Sequence, residues 1–596
     1  MAEVLPRTAL AGRRLPRRLG RARAAVLAMA TAAVAAGCAN VPVSGSVQLA
    51  QGGNGAGQEY PQLLAEAPGL GWQPDQIVLG FLHASAAGFR NDHAVARHFL
   101  TPGMSSQWKP SVAANVLAGD LKSTDQLSQH LPDGAQPTEH VIIKGQQLAT
   151  LTDSGQYITS SVLHPYSFAL IKLDGQWLIS SLPSNTSLLL TKPDFDKVYA
   201  PRNLYFFAAG GLRLVPDPVF VPQSAANTDV ANGLIRGLLT NPAGWLSGAA
   251  GTLIPRGTTL RAVRINGSSA VVDLGGPVAR VPRAVLAEIA GQLVWTLTSS
   301  SYGQPPVAQS VQLAINGVIQ RLDGSQYQLQ PAYAAMLTTA QPGAQLYFLH
   351  GTDVSTGTAV GARAAPGFRA RSLSQIAISR PGTLIAGLIP AKDGCTVESG
   401  PLYGSARPVF HTILGGRCTS MSWDQRDNIW VAAGRTIWVL LSGQGQTSTA
   451  APLGAGPVTD FQVAPDGVRV AMIGAVPGGT QLAVGAISAG SAGPVAHASA
   501  TVLGAGIRDP SQAIWYTADD LLVLASPGPR AALYKVPVNG DAPAQFQVPP
   551  GTVWIATDGA DLAAGTASGE IFTSAGPSAQ WVLYAAGQDH DPSYRS

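Results

Sequence analysis

The residues of this chain whose placement points to covalent chemistry are three cysteines, Cys38, Cys395 and Cys418. Cys38 closes the run Ala35-Ala36-Gly37-Cys38, where small residues precede a thiol. That is the pattern of a bacterial lipobox. A signal peptidase reaches the Gly37–Cys38 bond past small side chains, and the freed Cys38 sulfur carries a diacylglyceryl group. Ala35 stands where a larger aliphatic residue is usual. The run upstream fits the same reading. Seven arginines (Arg7, Arg13, Arg14, Arg17, Arg18, Arg21 and Arg23) form a basic head, and residues 24–37 carry no charge. The uncharged run is shorter than the ~20 residues that a membrane-spanning helix needs, and it suits a signal-peptide core. Residues 1–37 are therefore expected to be removed. Several acyl chains on Cys38 would anchor the remainder stably to the membrane, whereas one chain binds only marginally.

An exported chain meets an oxidising exterior, which favours a disulfide between Cys395 and Cys418 over two buried thiols. Closing that loop is worth roughly 3 kcal/mol on the loop-entropy argument. The remaining reactive side chains form no familiar device. There is no G-x-S-x-G elbow, no H-E-x-x-H zinc pair and no Gly-Lys-Ser/Thr phosphate loop. The ten histidines are scattered, and the closest pair, His93 and His98, is spaced so that one helix face cannot present both to a metal. Asp466, Asp519 and Asp558 sit in turn-forming stretches, where aspartate caps the turn with its own side chain. No catalytic residue, cofactor or metal is expected.

Charge excludes another class. Of 38 lysines and arginines, seven lie in the leader; of 34 acids, only Glu3 does. The remaining chain has a slight acidic excess and no basic run after Arg23. Nucleic-acid binding draws its affinity from cations meeting phosphates, so none is expected. Apolar residues make up 46% and charged residues 12%, enough to build packed cores.

The elements divide the chain into three bodies. Residues 38–60, rich in Gly, Ser, Gln and Asn, read as a lipid-anchored flexible tether. Residues 61–190 read as a cone-like α+β domain: a helix opens at Pro74, a second runs from Asp92 to Leu100 and ends at Thr101-Pro102, and strands follow. Its clearest hairpin, Phe168 to Leu182, turns at Asp174-Gly175. Residues 195–325 read as a second α+β domain, with a hairpin turning at Asn266-Gly267 and a helix over 285–297. Residues 330–590 lose helical periodicity, and a strand–turn–strand unit recurs. Its turns fall at Gly382, Asp427, Gly467, Asp520 and Gly559, with spacings of 45, 40, 53 and 39. Propeller blades repeat every ~40–50 residues. About six blades are expected, with five or seven also compatible with the length, and a long β-sandwich is the alternative.

The combination resembles the LpqB family of actinobacterial lipoproteins. The similar stretches are 202–207 (RNLYFF) with 214–219 (LVPDPV), which look like a GerMN segment together with 291–297 (GQLVWTL), and 373–379 (LSQIAIS), which looks like the first propeller blade. The resemblance implies an accessory lipoprotein of the MtrA–MtrB two-component system. Such a protein would bind the extracytoplasmic sensor region of the histidine kinase MtrB and tune its signalling, with consequences for cell division and envelope homeostasis. It brings no catalytic residues. A cell-wall or peptidoglycan-binding scaffold is the competing class, and a propeller hydrolase a third.

Overall fold

The computed structural model describes residues 65–595, except 89–91, 128–137, 185, 210, 212, 224–225, 323–343, 358–364, 369–371, 405–409, 442–445, 451–455 and 491–492. Gly37 and Cys38, with the leader and tether, lie outside the described residues.

The first body packs one helix on a strongly wrapped sheet. Pro74 starts the helix Pro74–Ala86, because its missing N–H is not needed in the first turn. Ile77, Val78, Phe81 and Leu82 face inward and meet Val141, Ile143, Phe168 and Ile179 of the sheet. The sheet order is Gln176–Ser181, Tyr157–Leu173, Thr138–Leu151, Ala114–Leu117, Leu188–Thr191. The helix expected over 92–100 shrinks to Ala94–Arg97. Asp92 and His93 both hold φ near 53°, and the buried His93 ring bonds the Ser85 carbonyl at 2.8 Å. Thr101-Pro102 begins a helix instead of ending one. The Thr101 hydroxyl accepts from Met104 N at 3.3 Å, a side-chain cap with proline at the first position of Pro102–Gln107.

The second body has two small sheets. One pairs Thr259–Asn266, Ser269–Gly275, Ser310–Ile315 and Val318–Ile319; the other pairs Leu214–Pro222 with Tyr199–Ala208 and Ala250–Gly251. Leu214–Pro222 carries three prolines and is an edge strand, where missing donors are tolerated. Helices Asn227–Leu238 and Arg283–Thr298 close the core through Leu234, Leu238, Ile289 and Leu293. The second hairpin is shifted by one residue from the sequence reading. Asn266 pairs with Ser269, so Gly267 and Ser268 form the turn, with Gly267 at φ 60°. At the other hairpin, Asp174 and Gly175 are both left-handed, as a type I′ turn requires. The two bodies join through Phe195, Tyr199 and Phe220, which pack around Tyr157. Phe220 N donates to the Gly155 carbonyl at 2.7 Å. A Cβ on Gly155, whose φ is 81°, would sit 2.5 Å from the Phe220 oxygen, so this contact needs glycine.

The third body is a six-bladed propeller. Five blades are consecutive four-stranded sheets over 375–415, 418–450, 458–502, 510–546 and 552–586. Each repeat found in the sequence is the inner hairpin of one of these. The sixth blade has no such repeat because its strands come from both ends of the domain. The C-terminal strand Asp589–Ser593 is innermost, and it pairs with Tyr347–His350, which pairs with Asp353–Thr356. Innermost strands abut in ring order, and the last touches those of blades 5 and 1.

An innermost strand has no next strand on its axial side, so its N–H groups need other acceptors. Side chains of the preceding blade supply them. Ser422 Oγ accepts from Val463 N at 3.0 Å, and Asp460 Oδ2 from Ala513 N at 2.7 Å. Gln512 Oε1 accepts from Ile555 N at 2.8 Å, and Asp591 from Ile376 N, which links blade 6 to blade 1.

Burial pushes the Asp460 carboxyl up to about 7 and that of Asp591 up to about 8, even though each accepts a backbone N–H. In the unfolded chain both return to ~4. Between these values the folded protein holds protons that the unfolded chain has released, so their contribution is greatest at low pH and is lost as pH rises toward about 8. Asn at both positions keeps the oxygen acceptor and removes the titration. The Tm of the Asp460→Asn/Asp591→Asn protein should vary less between about pH 5 and about pH 8 than that of the parent. Parallel pH profiles would show that these carboxyls do not hold the protons assigned to them.

Candidate partner-binding face of the propeller

The propeller has two rims, and the protein uses one on itself. The turns joining first and second strands of each blade carry the aspartates singled out in the sequence. Asp466 caps its turn: Oδ1 accepts from Val468 N at 2.8 Å and Arg469 N at 2.9 Å. Its Oδ2 meets the buried Arg469 guanidinium, which also donates to the Ala518 carbonyl at 2.7 Å and lies 4.6 Å over the Trp515 ring. Asp558 caps its turn through Ala560 N at 3.0 Å and Asp561 N at 2.7 Å.

Asp519 does something else. Its turn is capped by Thr517, whose hydroxyl accepts from Asp519 N and Asp520 N. The Asp519 carboxylate is thereby free to reach the second body. Oδ1 accepts from Asn203 Nδ2 at 2.6 Å, and Oδ2 from Tyr302 N at 3.0 Å. Burial raises its pKa, with Asn203, the Tyr302 amide and Arg469 pulling the other way. Beside it, the guanidinium of Arg213 from the second body approaches Gly467. The cone reaches the same side: Tyr157 and Thr159 lie against Gly540, and Lys192 Nζ is 3.3 Å from Asp541. No sequence signal separates Asp519 from its turn-capping neighbours except the threonine two residues earlier, which makes its own carboxylate redundant as a cap.

The opposite rim holds a cavity of about 600 Å³ on the axis, where the innermost strands begin. Gln375, Asp460, Gln512 and Trp554 line it from four blades. Cys395 and Cys418 line its edge and are joined by a disulfide, with Cα atoms 5.9 Å apart and a sequence separation of 23. The bridge staples blade 1 to blade 2 at the cavity mouth. Cys395 is fully buried. The cavity is polar, with Asp460 Oδ2 accepting the Ala513 N–H and the two thiols bridged.

A second cavity, of about 490 Å³, opens in the cone. Phe81, Trp108, Tyr166 and Phe168 form apolar walls, and Asn115 and Gln147 a polar one. Tyr166 Oη donates to Gln147 Oε1 at 2.8 Å, and burial raises its pKa. His93 supports Trp108 from behind, with ring centroids 5.3 Å apart, and burial lowers its pKa.

Removing the Asp519 side chain leaves Asn203 Nδ2 and Tyr302 N without this acceptor, at a cost of about 1–3 kcal/mol. The loss falls on the contact between bodies and not on either core. Asp519→Ala should speed hydrogen exchange at Tyr302 and around residue 203 while the blade cores exchange as before. Unchanged exchange at these sites would mean that the carboxylate does not hold the two bodies together.

Three family models match in order along the chain. The "Lipoprotein LpqB, N-terminal domain" model matches 67–196, the "Sporulation and spore germination" model 203–320, and the "Lipoprotein LpqB beta-propeller domain" model 353–594. None is a model of an enzyme family. Similar chains are named Lipoprotein LpqB. That of Thermobifida fusca is 29% identical, across 88% of this chain and 91% of its own. That of Rhodococcus jostii is 25% identical, across 88% of each. That of Mycobacterium bovis is 27% identical, across 88% of this chain and 92% of its own. Among the described residues no helix is long and apolar enough to cross a membrane; the relatives' name is that of a lipoprotein. With the two LpqB models covering more than half its length and the relatives aligning over most of it, the chain belongs to the LpqB family of lipoproteins.

Proposed function

We propose that this protein is held on the extracytoplasmic face of the cell membrane by a lipid on Cys38, and that it binds and modulates the sensor region of a histidine kinase of the MtrB type. The observation that carries this reading is the unequal use of the propeller's two rims. One rim is occupied by the protein's own α+β bodies through Asp519. The other presents an axial cavity framed by rigid, disulfide-stapled strands. A ring that spends one face on its own chain has the other for a second molecule.

The lipid gives that face reach. Confinement to the membrane surface raises the effective concentration beside a membrane-embedded partner without adding any contact. Binding shifts the kinase only if the propeller prefers one of its conformations, because equal affinity for both moves no population. The role requires no bond making, and the protein acts as a non-enzymatic regulator of signalling linked to cell division and envelope homeostasis.

Two measurements test the reading. Purified mature protein should capture the purified kinase sensor domain, and failure to do so at tens of micromolar would remove the proposal. Cys38→Ala should release the protein from the membrane and weaken signalling in cells, while the circular dichroism and Tm of the purified protein stay unchanged. Full regulation by the released protein at native abundance would remove the tethering part.

A second reading rests on the cone. A cavity with aromatic walls, two amides and no carboxylate, lysine or arginine in its lining suits an uncharged envelope ligand such as a cell-wall sugar. Sedimentation of the mature protein with isolated peptidoglycan, lost in Gln147→Leu, would support a scaffold role; no co-sedimentation would leave the cavity without that function.

A further inference from the structure

The blade geometry sorts charge that the sequence scatters. Lys392, Arg435 and Arg530 each occupy the turn between second and third strands, in blades 1, 2 and 4. Arg417 immediately precedes the innermost strand of blade 2, and Arg508 lies two residues before that of blade 4. Both kinds of turn lie on the open rim. Five cations spread over some 140 residues are thereby gathered onto one face. All five are exposed, and none forms an ion pair with a carboxylate among the described residues. Lys392 and Arg417 also line the axial cavity. The exposed acids of the same turns are Asp393 and Asp509; Asp353 and Glu570 of this rim are half-buried, and Asp589 is buried against His350. On the opposite rim the turns carry Asp424, Asp427, Asp466, Asp519, Asp558 and Asp561, none of them exposed, together with Arg380, Arg426, Arg469 and Arg595. A net charge near zero for the folded part hides a propeller whose exposed cations gather on the open rim.

Taking the docking reading above as its basis, we infer that the open face receives an acidic, extended polypeptide segment of the partner, its carboxylates on Lys392, Arg417, Arg435, Arg508 and Arg530 and its backbone entering the axial cavity. The cavity decides between a polypeptide and a flat anionic surface. A bilayer would touch the rim cations and leave about 600 Å³ of polar space unfilled. Gln375 Oε1 is buried beside that space without a hydrogen-bond partner among the described residues. An amide oxygen lacking a donor at this depth suits a peptide N–H of a segment that enters the cavity. Five exposed pairs, each worth only a few tenths of a kcal/mol, together give a substantial salt-sensitive attraction.

The test uses the full mature chain with three probes: poly-L-glutamate, vesicles of phosphatidylglycerol in phosphatidylcholine, and the kinase sensor domain. Poly-L-glutamate should bind, and its affinity should fall at least tenfold between about 50 and about 250 mM salt. Changing the five cations to glutamine should weaken it about 30-fold. A control protein carrying Arg236→Gln, Arg256→Gln, Arg264→Gln and Arg280→Gln, exposed positions of the second body, should bind within about twofold of the parent. Equal binding by the five-cation variant overturns the inference, as does binding to vesicles with none to poly-L-glutamate. The docking reading fails separately. A sensor domain bound equally by parent and five-cation variant sinks the acidic segment but keeps the docking. A sensor domain bound by neither, with poly-L-glutamate still requiring the five cations, sinks the kinase and keeps the face.

Discussion

Everything in the C-terminal half depends on one pairing, that of Asp589–Ser593 with Tyr347–His350. Five blades in a row would present an unpaired inner strand at each end of an open arc, and unpaired strand edges invite aggregation. Drawing the innermost strand of blade 6 from the far end of the domain closes the arc and ties its two ends together. The Asp591–Ile376 bond and the bridge between Ile378 and Arg595 complete the seam on the blade 1 side. Once closed, the ring fixes which turns share a rim, and the distribution of charge and the position of the axial cavity follow.

The same closure explains the buried carboxyls. Asp460 and Asp591 sit on innermost strands because each answers a backbone N–H of the next blade that no strand can reach. They are acceptors serving the ring, and their raised pKa values follow from burial in that role. Perturbed titration on a propeller axis invites a catalytic reading, but here the partner of each carboxyl is the main chain. Asp217 in the second body behaves alike. It is fully buried, accepts from Ala243 N at 2.8 Å, and is pushed up to about 7 by burial.

Much of the architecture was legible because its signals are local. Asp174-Gly175 fixed one hairpin by turn chemistry, and five strand–turn–strand units marked five blades. What stayed hidden was non-local. The sixth blade gives no repeat, since its inner strand lies more than two hundred residues from its partners. The helix ending expected at Thr101-Pro102 was a helix start, because the same dipeptide serves as cap and first residue. Asp519 looks like Asp466 and Asp558 in sequence and differs only through Thr517, which takes over its turn. The five cations of the open face lie 18 to 73 residues apart in the chain, so no linear scan collects them. Only the ring does.

The bridge between Cys395 and Cys418 has a practical corollary for anyone handling this protein. It links neighbouring blades rather than two strands of one sheet, so the individual sheets can form without it while the mouth of the axial cavity stays unfastened. Material prepared in a bacterial cytosol, or kept in dithiothreitol, would pass every check of secondary structure and yet present a slackened binding surface. Affinities measured on such material would describe a different molecule from the bridged one.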